Sequence, residues 1–331
     1  MSAPALKVDG LVVEVTRDRE RFRAVDGLSL AVERGRSLGL VGESGCGKSL
    51  SLRALMGLLP DRAAAAGHVT ASGVELPLSG KGVAAARRGR LGMIFQDPGT
   101  SLDPVMTCGY QIAEAPRRVL GMSRAKAEAR ALELLRLVGI PDAERRMRSY
   151  PHELSGGTRQ RVMIAIALSS EPKVLLCDEP TTALDVTIQA QILRLLVDLQ
   201  EEMGLSIVFV THELALVGEL CRDVCVMYAG RLVETGRTAD VLARPLHPYT
   251  IGLLRSAVDL DVDVSAPVPI PGSLPDPLNR PAGCAFHPRC FLARPGCETS
   301  DVVLAPAGEG RASACLYVDE LLKEGLEAGA P

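Results

Sequence analysis

Residues 5–40 alternate apolar and polar positions, LVVEV and then LSLAV, on either side of a charged segment, TRDRERFR. That period of two predicts an antiparallel β region built around a turn. SLGLV at 37–41 reads as a compact strand, and it runs into GESGCGKS and LSLRALMGLL, whose apolar residues fall at helical spacing. Residues 61–90 are rich in Ala, Gly and Arg and predict a hairpin and a short helix, followed by a strand at 91–95, LGMIF. From 97 to about 165 the texture becomes helical, with a turn-rich start, DPGTSLDPVMT, and an amphipathic helix over 123–139 that presents Leu132, Leu135 and Val138 and stops at Gly139. Strands return at 173–177 (KVLLC), 206–210 (SIVFV) and 223–228 (DVCVMY), the first two separated by a helix over 187–203. Alternating strands and helices predict an α/β parallel sheet, with residues 97–165 as a helical insertion. Beyond about 240 the pattern weakens, and the Pro density of 259–288 favours extended chain without a core of its own.

Composition narrows the function classes. A chain of 331 residues is long enough for two domains, and 47% hydrophobic against 23% charged residues predicts a packed core. With 37 Lys and Arg against 40 Asp and Glu, the net charge of −3 argues against a nucleic-acid-coating protein. Aromatic residues are 3% of the chain and Trp is absent, which leaves little for base stacking or a membrane aromatic belt. No apolar stretch approaches the roughly 18 residues a bilayer span needs, and MSAPALKVDG lacks a secretory core. The expectation is a soluble, intracellular chain, so that any work at a membrane would rely on other subunits for the spanning.

Gly42-Glu43-Ser44-Gly45-Cys46-Gly47-Lys48-Ser49 fits G-x-x-x-x-G-K-[ST], between a strand and a helix. Phosphate oxygens must be wrapped by successive backbone N–H groups at a helix N-terminus, and the glycines keep side chains out of that turn. Lys48 would reach the β- and γ-phosphates of ATP and Ser49 would coordinate Mg²⁺. Val174-Leu175-Leu176-Cys177 is an apolar strand ending in Asp178 and Glu179. Asp178 suits Mg²⁺, and Glu179 suits orientation or deprotonation of the attacking water. The fold class is therefore α/β, a P-loop nucleoside-triphosphatase core with an N-terminal antiparallel β region and the helical subdomain inserted. Ser155-Gly156-Gly157 opens a second apolar helix and makes a second anion-binding N-terminus. One chain with one P-loop does not need two such ends, whereas two chains placed head to tail do.

The segment Leu154-Ser155-Gly156-Gly157-Thr158-Arg159-Gln160-Arg161 resembles the LSGGQ signature of the ATP-binding cassette ATPases, with Thr158 in place of the usual Gln. The resemblance covers roughly residues 5–240 and implies further roles. Gln96, in IFQDP, matches the glutamine that touches Mg²⁺ and links the core to the helical subdomain. Ala183-Leu184-Asp185 matches the D-loop, in which Asp185 contacts the opposing subunit. His212, in VFVTHEL, matches the switch histidine at the γ-phosphate. The adenine-stacking aromatic has one candidate, Phe22, for which packing in the hairpin is an equal reading.

Residues 241–331 form a separate extension in this reading, mostly irregular and able to bind a metal or cluster. Leu246-His247-Pro248-Tyr249-Thr250, Ile270-Pro271-Gly272 and the segment from Gly283 to Cys290 resemble the C-terminal extension of the oligopeptide and dipeptide importer ATPases. The His-Pro-Tyr segment reads as docking and packing rather than chemistry. Cys284, Cys290, Cys297 and Cys315 crowd into the last 48 residues. Their wide spacing lacks tight zinc knuckles and favours a [4Fe–4S] cluster, which the resemblance also implies; Zn²⁺ and free or disulfide-linked thiols stay open. His287 and Arg289 lie between the cysteines, placed either to hydrogen-bond sulfurs or to be solvated. The resemblance implies the ATPase subunit of a bacterial peptide importer, peripheral on the cytoplasmic face of the cell membrane. Its expected partners are a second ATPase subunit, the same chain or another, two integral-membrane permease subunits and an extracytoplasmic solute-binding protein, with no nucleic acid. A nickel or other small-solute importer, and a non-transport cassette ATPase, are the alternatives.

Overall fold

The computed structural model describes residues 3–182, 184–256 and 268–324, so Ala183 and residues 257–267 of the Pro-rich stretch lie outside the described residues. Strands β1 (Leu6–Arg17) and β2 (Glu20–Val32) form the expected hairpin. Asp18 and Arg19 both take positive φ, 52° and 73°, as a two-residue primed turn requires. Each strand carries the tetrad Val-Asp-Gly-Leu, at Val8–Leu11 and at Val25–Leu28. The buried phase slips by one residue inside both tetrads, at Gly10 (φ 59°) and Gly27 (φ 78°), so Val8 and Leu11, and likewise Val25 and Leu28, share the core face.

Strand β3 (Ser37–Val41) is buried throughout and leads into α1 (Lys48–Met56), which Gly57 ends in the left-handed conformation. Strands β4 (Ala63–Ala71) and β5 (Val74–Glu75) pair antiparallel across Ser72-Gly73, and α2 (Val83–Arg87) precedes β6 (Leu91–Ile94). The insertion is helical, as expected: α3 (Pro98–Ser101), α4 (Cys108–Arg118), α5 (Arg124–Leu137), α6 (Ala143–Arg146) and α7 (Gly156–Leu168). Asp97, Thr107, Ser123 and Ser155 cap α3, α4, α5 and α7 by accepting a first-turn N–H. On α5 the buried stripe is Ala127, Ala131, Leu134 and Leu135; Leu132, read from the sequence as a core position, is only half-buried. Then follow β7 (Val174–Asp178), α8 (Val186–Met203), β8 (Ser206–Thr211), α9 (Leu214–Leu220), β9 (Asp223–Tyr228), β10 (Arg231–Arg237), α10 (Thr238–Ala243), α11 (Pro248–Ser256), β11 (Ala305–Pro306), β12 (Ala312–Ser313) and α12 (Val318–Glu324).

The chain folds as two compact units. One draws on the chain up to Leu6, on Ala31–Arg36 and on Thr70–Val208; the other on Lys7–Leu30, Ser37–Val69 and the chain from Phe209 onward. In the first, β6 and β7 run parallel in the register Leu91↔Val174 to Ile94↔Cys177, and every residue of both is buried. Strands covered on both faces need continuous apolar runs, which is why these segments show no alternation. Helix α4 packs on α5 and α7. In the second unit β3 runs parallel to β9, β9 is antiparallel to β10, and β12 lies between β10 and β11.

Within this second unit the chain on either side of the Pro-rich residues 259–288 has packing of its own. Leu246, Ile251, Ala307 and Leu321 pack together, with Leu292, Cys315, Val318 and Leu322 against them. Glu234 on β10 is fully buried; its Oε1 accepts from the Leu246 N–H at 2.7 Å and from Arg311 at 2.8 Å. The Ser313 hydroxyl donates to the Leu246 carbonyl at 2.7 Å, and the Ala314 N–H to the Val233 carbonyl at 2.8 Å. Segments too apolar-poor to fold alone are ordered by completing the sheet edge and sharing one cluster. Among the described residues, no helix is long and apolar enough to cross a membrane.

Candidate functional site

The loop Gly42–Ser49 joins buried β3 to α1, whose N-terminus has neither a capping side chain nor an acid in its first turn. Its first N–H groups therefore face outward with the positive end of the helix dipole, the arrangement that receives an anion. Gly47 caps the helix at φ 113°; a Cβ there would lie 2.7 Å from the Ala24 carbonyl oxygen and 3.0 Å from Met227 Cε, so no other residue fits. Ser44 and Gly45 are exposed at the tip, Ser49 is half-buried, and Cys46 is buried, which pushes its thiol pKa up. Lys48 is buried, and its Nζ donates to the Gly42 carbonyl at 2.6 Å and the Glu43 carbonyl at 3.0 Å. The ammonium is thus held across the mouth of the loop.

Glu43 is held from the extension. Its N–H donates to the Tyr249 hydroxyl at 2.7 Å, and its carboxylate takes both arms of Arg289 at 3.0 Å each. Arg289 is buried rather than turned to sulfurs or solvent, a correction to both readings of that residue. His287 sets its Nδ1 3.0 Å from the Cys284 carbonyl oxygen. Phe22 is half-buried on the wall of a cavity of about 330 Å³ that Gly45, Leu50 and Leu274 also line, with the Arg17 guanidinium 5.9 Å from its ring. His212 stands exposed just past β8, its Nε2 3.7 Å from Glu213.

The other unit carries the acids. Asp178 is the last residue of β7 and is buried. Glu179 follows at φ 46°, a left-handed conformation that costs a non-glycine residue about 1 kcal/mol. Its Oε2 accepts from Gln96 Nε2 at 3.1 Å and from the Thr182 hydroxyl at 3.0 Å. The structure thus brings Gln96 and Glu179 together and adds Thr182, which no sequence signal singles out: its partner is three positions away, through a turn that no periodicity marks.

Ser155 caps α7, and its hydroxyl lies 2.9 Å from that of Thr158, so the residue in place of the usual Gln supports the cap. Gly156 opens the helix, and at Gly157 a Cβ would approach Ile188 Cγ2 to 2.8 Å. Asp185 caps α8, its Oδ1 accepting from the Ile188 N–H at 2.9 Å.

Cys284, Cys290, Cys297 and Cys315 all line one small cavity of about 40 Å³, beside His247 and Tyr317. The Cys284 N–H donates to the Cys297 carbonyl at 2.8 Å. Among the described residues no three His, Cys, Asp or Glu side chains are arranged to hold a metal ion, so the expected [4Fe–4S] or Zn²⁺ ligand set is not formed in this structure. Burial, reinforced by charge on the neighbouring thiols, pushes Cys290 up to about 12 and Cys315 up to about 11. A soft metal ion would have to displace their protons to bind them.

Two family profiles match the chain: ABC transporter over residues 25–182, and the oligopeptide/dipeptide transporter C-terminal region over residues 233–297. A protein of Sinorhizobium fredii named as a probable peptide ABC transporter ATP-binding protein is 49% identical over 304 residues, 91% of each chain. The dipeptide transport ATP-binding protein of Escherichia coli is 45% identical over 319 residues, 94% of this chain and 96% of that one. Among solved structures, a dimeric ATP-binding cassette in a post-hydrolysis state, bound to ADP and phosphate, superposes with a TM-score of 0.62 at 28% identity, covering 70% of this chain and 98% of the other.

Proposed function

The chain belongs to the ABC transporter family, in its oligopeptide and dipeptide branch, and from that premise we infer that it is the ATP-hydrolysing subunit of a bacterial peptide importer. The observation that carries the reading is the open N-terminus of α1 behind a glycine loop, with Lys48 held across the loop mouth. Gly42–Ser49 would receive the ATP phosphates, with Lys48 on the β- and γ-phosphates. Ser49, Asp178 and Gln96 would hold Mg²⁺. Glu179, fixed by Gln96 and Thr182, would orient or deprotonate the attacking water, and His212 would bond the γ-phosphate. The chain then divides into a nucleotide-binding domain over residues 1–240 and an extension over 241–331.

Ser155, Gly156 and Gly157 would bind the ATP of a second ATPase subunit, with Asp185 at the same contact. Those contacts form only in the closed pair, so ATP favours closure and its hydrolysis reopens the pair. The partner is a different ATPase chain or a second copy. The pair sits on two permease subunits at the cytoplasmic face of the membrane and is fed by an extracytoplasmic solute-binding protein. The cargo is peptide; a nickel or other small-solute importer is the alternative, since the ATPase does not touch the cargo. Vesicles carrying the assembled complex should take up a labelled dipeptide only when given ATP and the binding protein. ATP hydrolysis without dipeptide uptake, but with uptake of Ni²⁺, would move the chain to the alternative.

The four thiols on one cavity support a soft-metal site, a [4Fe–4S] cluster with Zn²⁺ as alternative, whose ligands would have to close around it. Anaerobically purified chain should contain iron and sulfide at about four each. Stoichiometric zinc would leave the four-thiolate site standing, and neither metal would remove it.

A further inference from the structure

We propose that Arg289 and Tyr249 are positioning residues for ATP binding, holding the phosphate loop in its receptive shape through Glu43. The proposal rests on the reading of Gly42–Ser49 as the ATP site. Glu43 is an awkward residue for that site, because a carboxylate beside phosphates is repelled unless it is neutralised and turned away. Arg289 does both. NH1 meets Oε1 and NH2 meets Oε2, each at 3.0 Å, a two-pronged pair that fixes direction as well as charge.

The guanidinium is itself immobilised. Its Nε donates to the Pro271 carbonyl at 2.7 Å, its NH1 lies 3.4 Å from the Tyr228 hydroxyl, and its side chain is only 6% exposed. Tyr228 and Phe286 rings flank it at 5.8 and 6.0 Å. Tyr249 packs edge-on against both rings, at 4.7 and 5.3 Å, and its hydroxyl accepts the Glu43 N–H. The second residue of the loop is therefore tied at backbone and side chain to a buried aromatic cluster. Three of the tying residues, Tyr249, Phe286 and Arg289, come from the extension.

A clamp on the free enzyme acts on the fraction of molecules whose loop can accept phosphate. If release lowers that fraction to one in ten, the apparent dissociation constant rises about tenfold, equivalent to about 1.4 kcal/mol, while the bound geometry and its turnover stay as they were. Loss of folded protein does the opposite: it lowers the apparent kcat and leaves KM alone.

The test is steady-state ATP hydrolysis by the assembled complex with its permease and partner ATPase. Arg289→Ala should raise KM for ATP about tenfold with kcat within twofold. Arg289→Lys, which keeps the charge but loses the fork, should fall between Ala and the parent. Tyr249→Phe should raise KM several-fold by an independent contact, and it serves if Arg289→Ala does not fold. Glu43→Gln combined with Arg289→Ala should show no more than the larger single effect. Unchanged KM in Arg289→Ala and Tyr249→Phe, a fall in kcat alone, or additive effects of Glu43→Gln and Arg289→Ala would each overturn the proposal while leaving the ATPase reading intact. A parent complex that does not hydrolyse ATP would overturn both.

Discussion

Lys48→Ala should reduce ATP turnover by the assembled complex by at least 10²–10³-fold, on the order of the loss of one preorganised transition-state donor. The side chain has two functions in the structure. Its ammonium is buried at the loop mouth, where a positive charge is worth more than in water. It also ties the Gly42 and Glu43 carbonyls, at 2.6 and 3.0 Å, so that their oxygens face the lysine rather than an incoming anion. Alanine removes the charge and frees two acceptors to repel phosphate. Turnover like that of the parent, measured by phosphate release, would remove the loop from the active site.

Glu179→Gln should keep ATP binding and lose turnover by roughly 10²–10⁴-fold, the usual contribution of a positioned acid or base. Size is conserved and basicity is lost. The carboxylate is unusually constrained: a non-glycine residue at φ 46°, with Gln96 and the Thr182 hydroxyl both donating to Oε2. An amide can still accept from both donors through its carbonyl oxygen, so the turn at Glu179 should survive. With hydrolysis blocked, the ATP-bound pair should accumulate closed, read as a shift to larger size by chromatography in Mg-ATP. Normal hydrolysis by this variant would place the catalytic base elsewhere.

The elements that proved legible in the sequence are those whose signal is local. Strands β3, β6, β7 and β8 are short, wholly buried and mostly apolar runs bounded by turns, and α5 announces itself by Ser123 at its cap. The phosphate loop is legible for the same reason, since the N–H groups that wrap an anion come from consecutive residues. The extension is not legible, because its order is non-local. Leu246, Ile251, Ala307 and Leu321 make one cluster from distant segments, and β11 and β12 are two residues each, too short to show a period. Arg289 finds Glu43 across 246 positions, so spacing alone pointed it to the nearby cysteines or to solvent. The four cysteines were correctly placed as neighbours, but proximity in sequence did not decide whether their sulfurs form a ligand shell.

The buried carboxylate of Glu234 carries a consequence for how such chains diversify. Its partners are a backbone N–H at Leu246 and the guanidinium of Arg311, both supplied by the extension. Removing Arg311 alone, with the rest of the tail still in place, would leave this carboxylate buried without its counter-charge, a defect costing roughly 3–5 kcal/mol. A tail grafted from another lineage would have to present a cation at that same spot. The extension is therefore not an interchangeable accessory. It folds as one unit with β10, whose buried acid is matched only in the company of that tail.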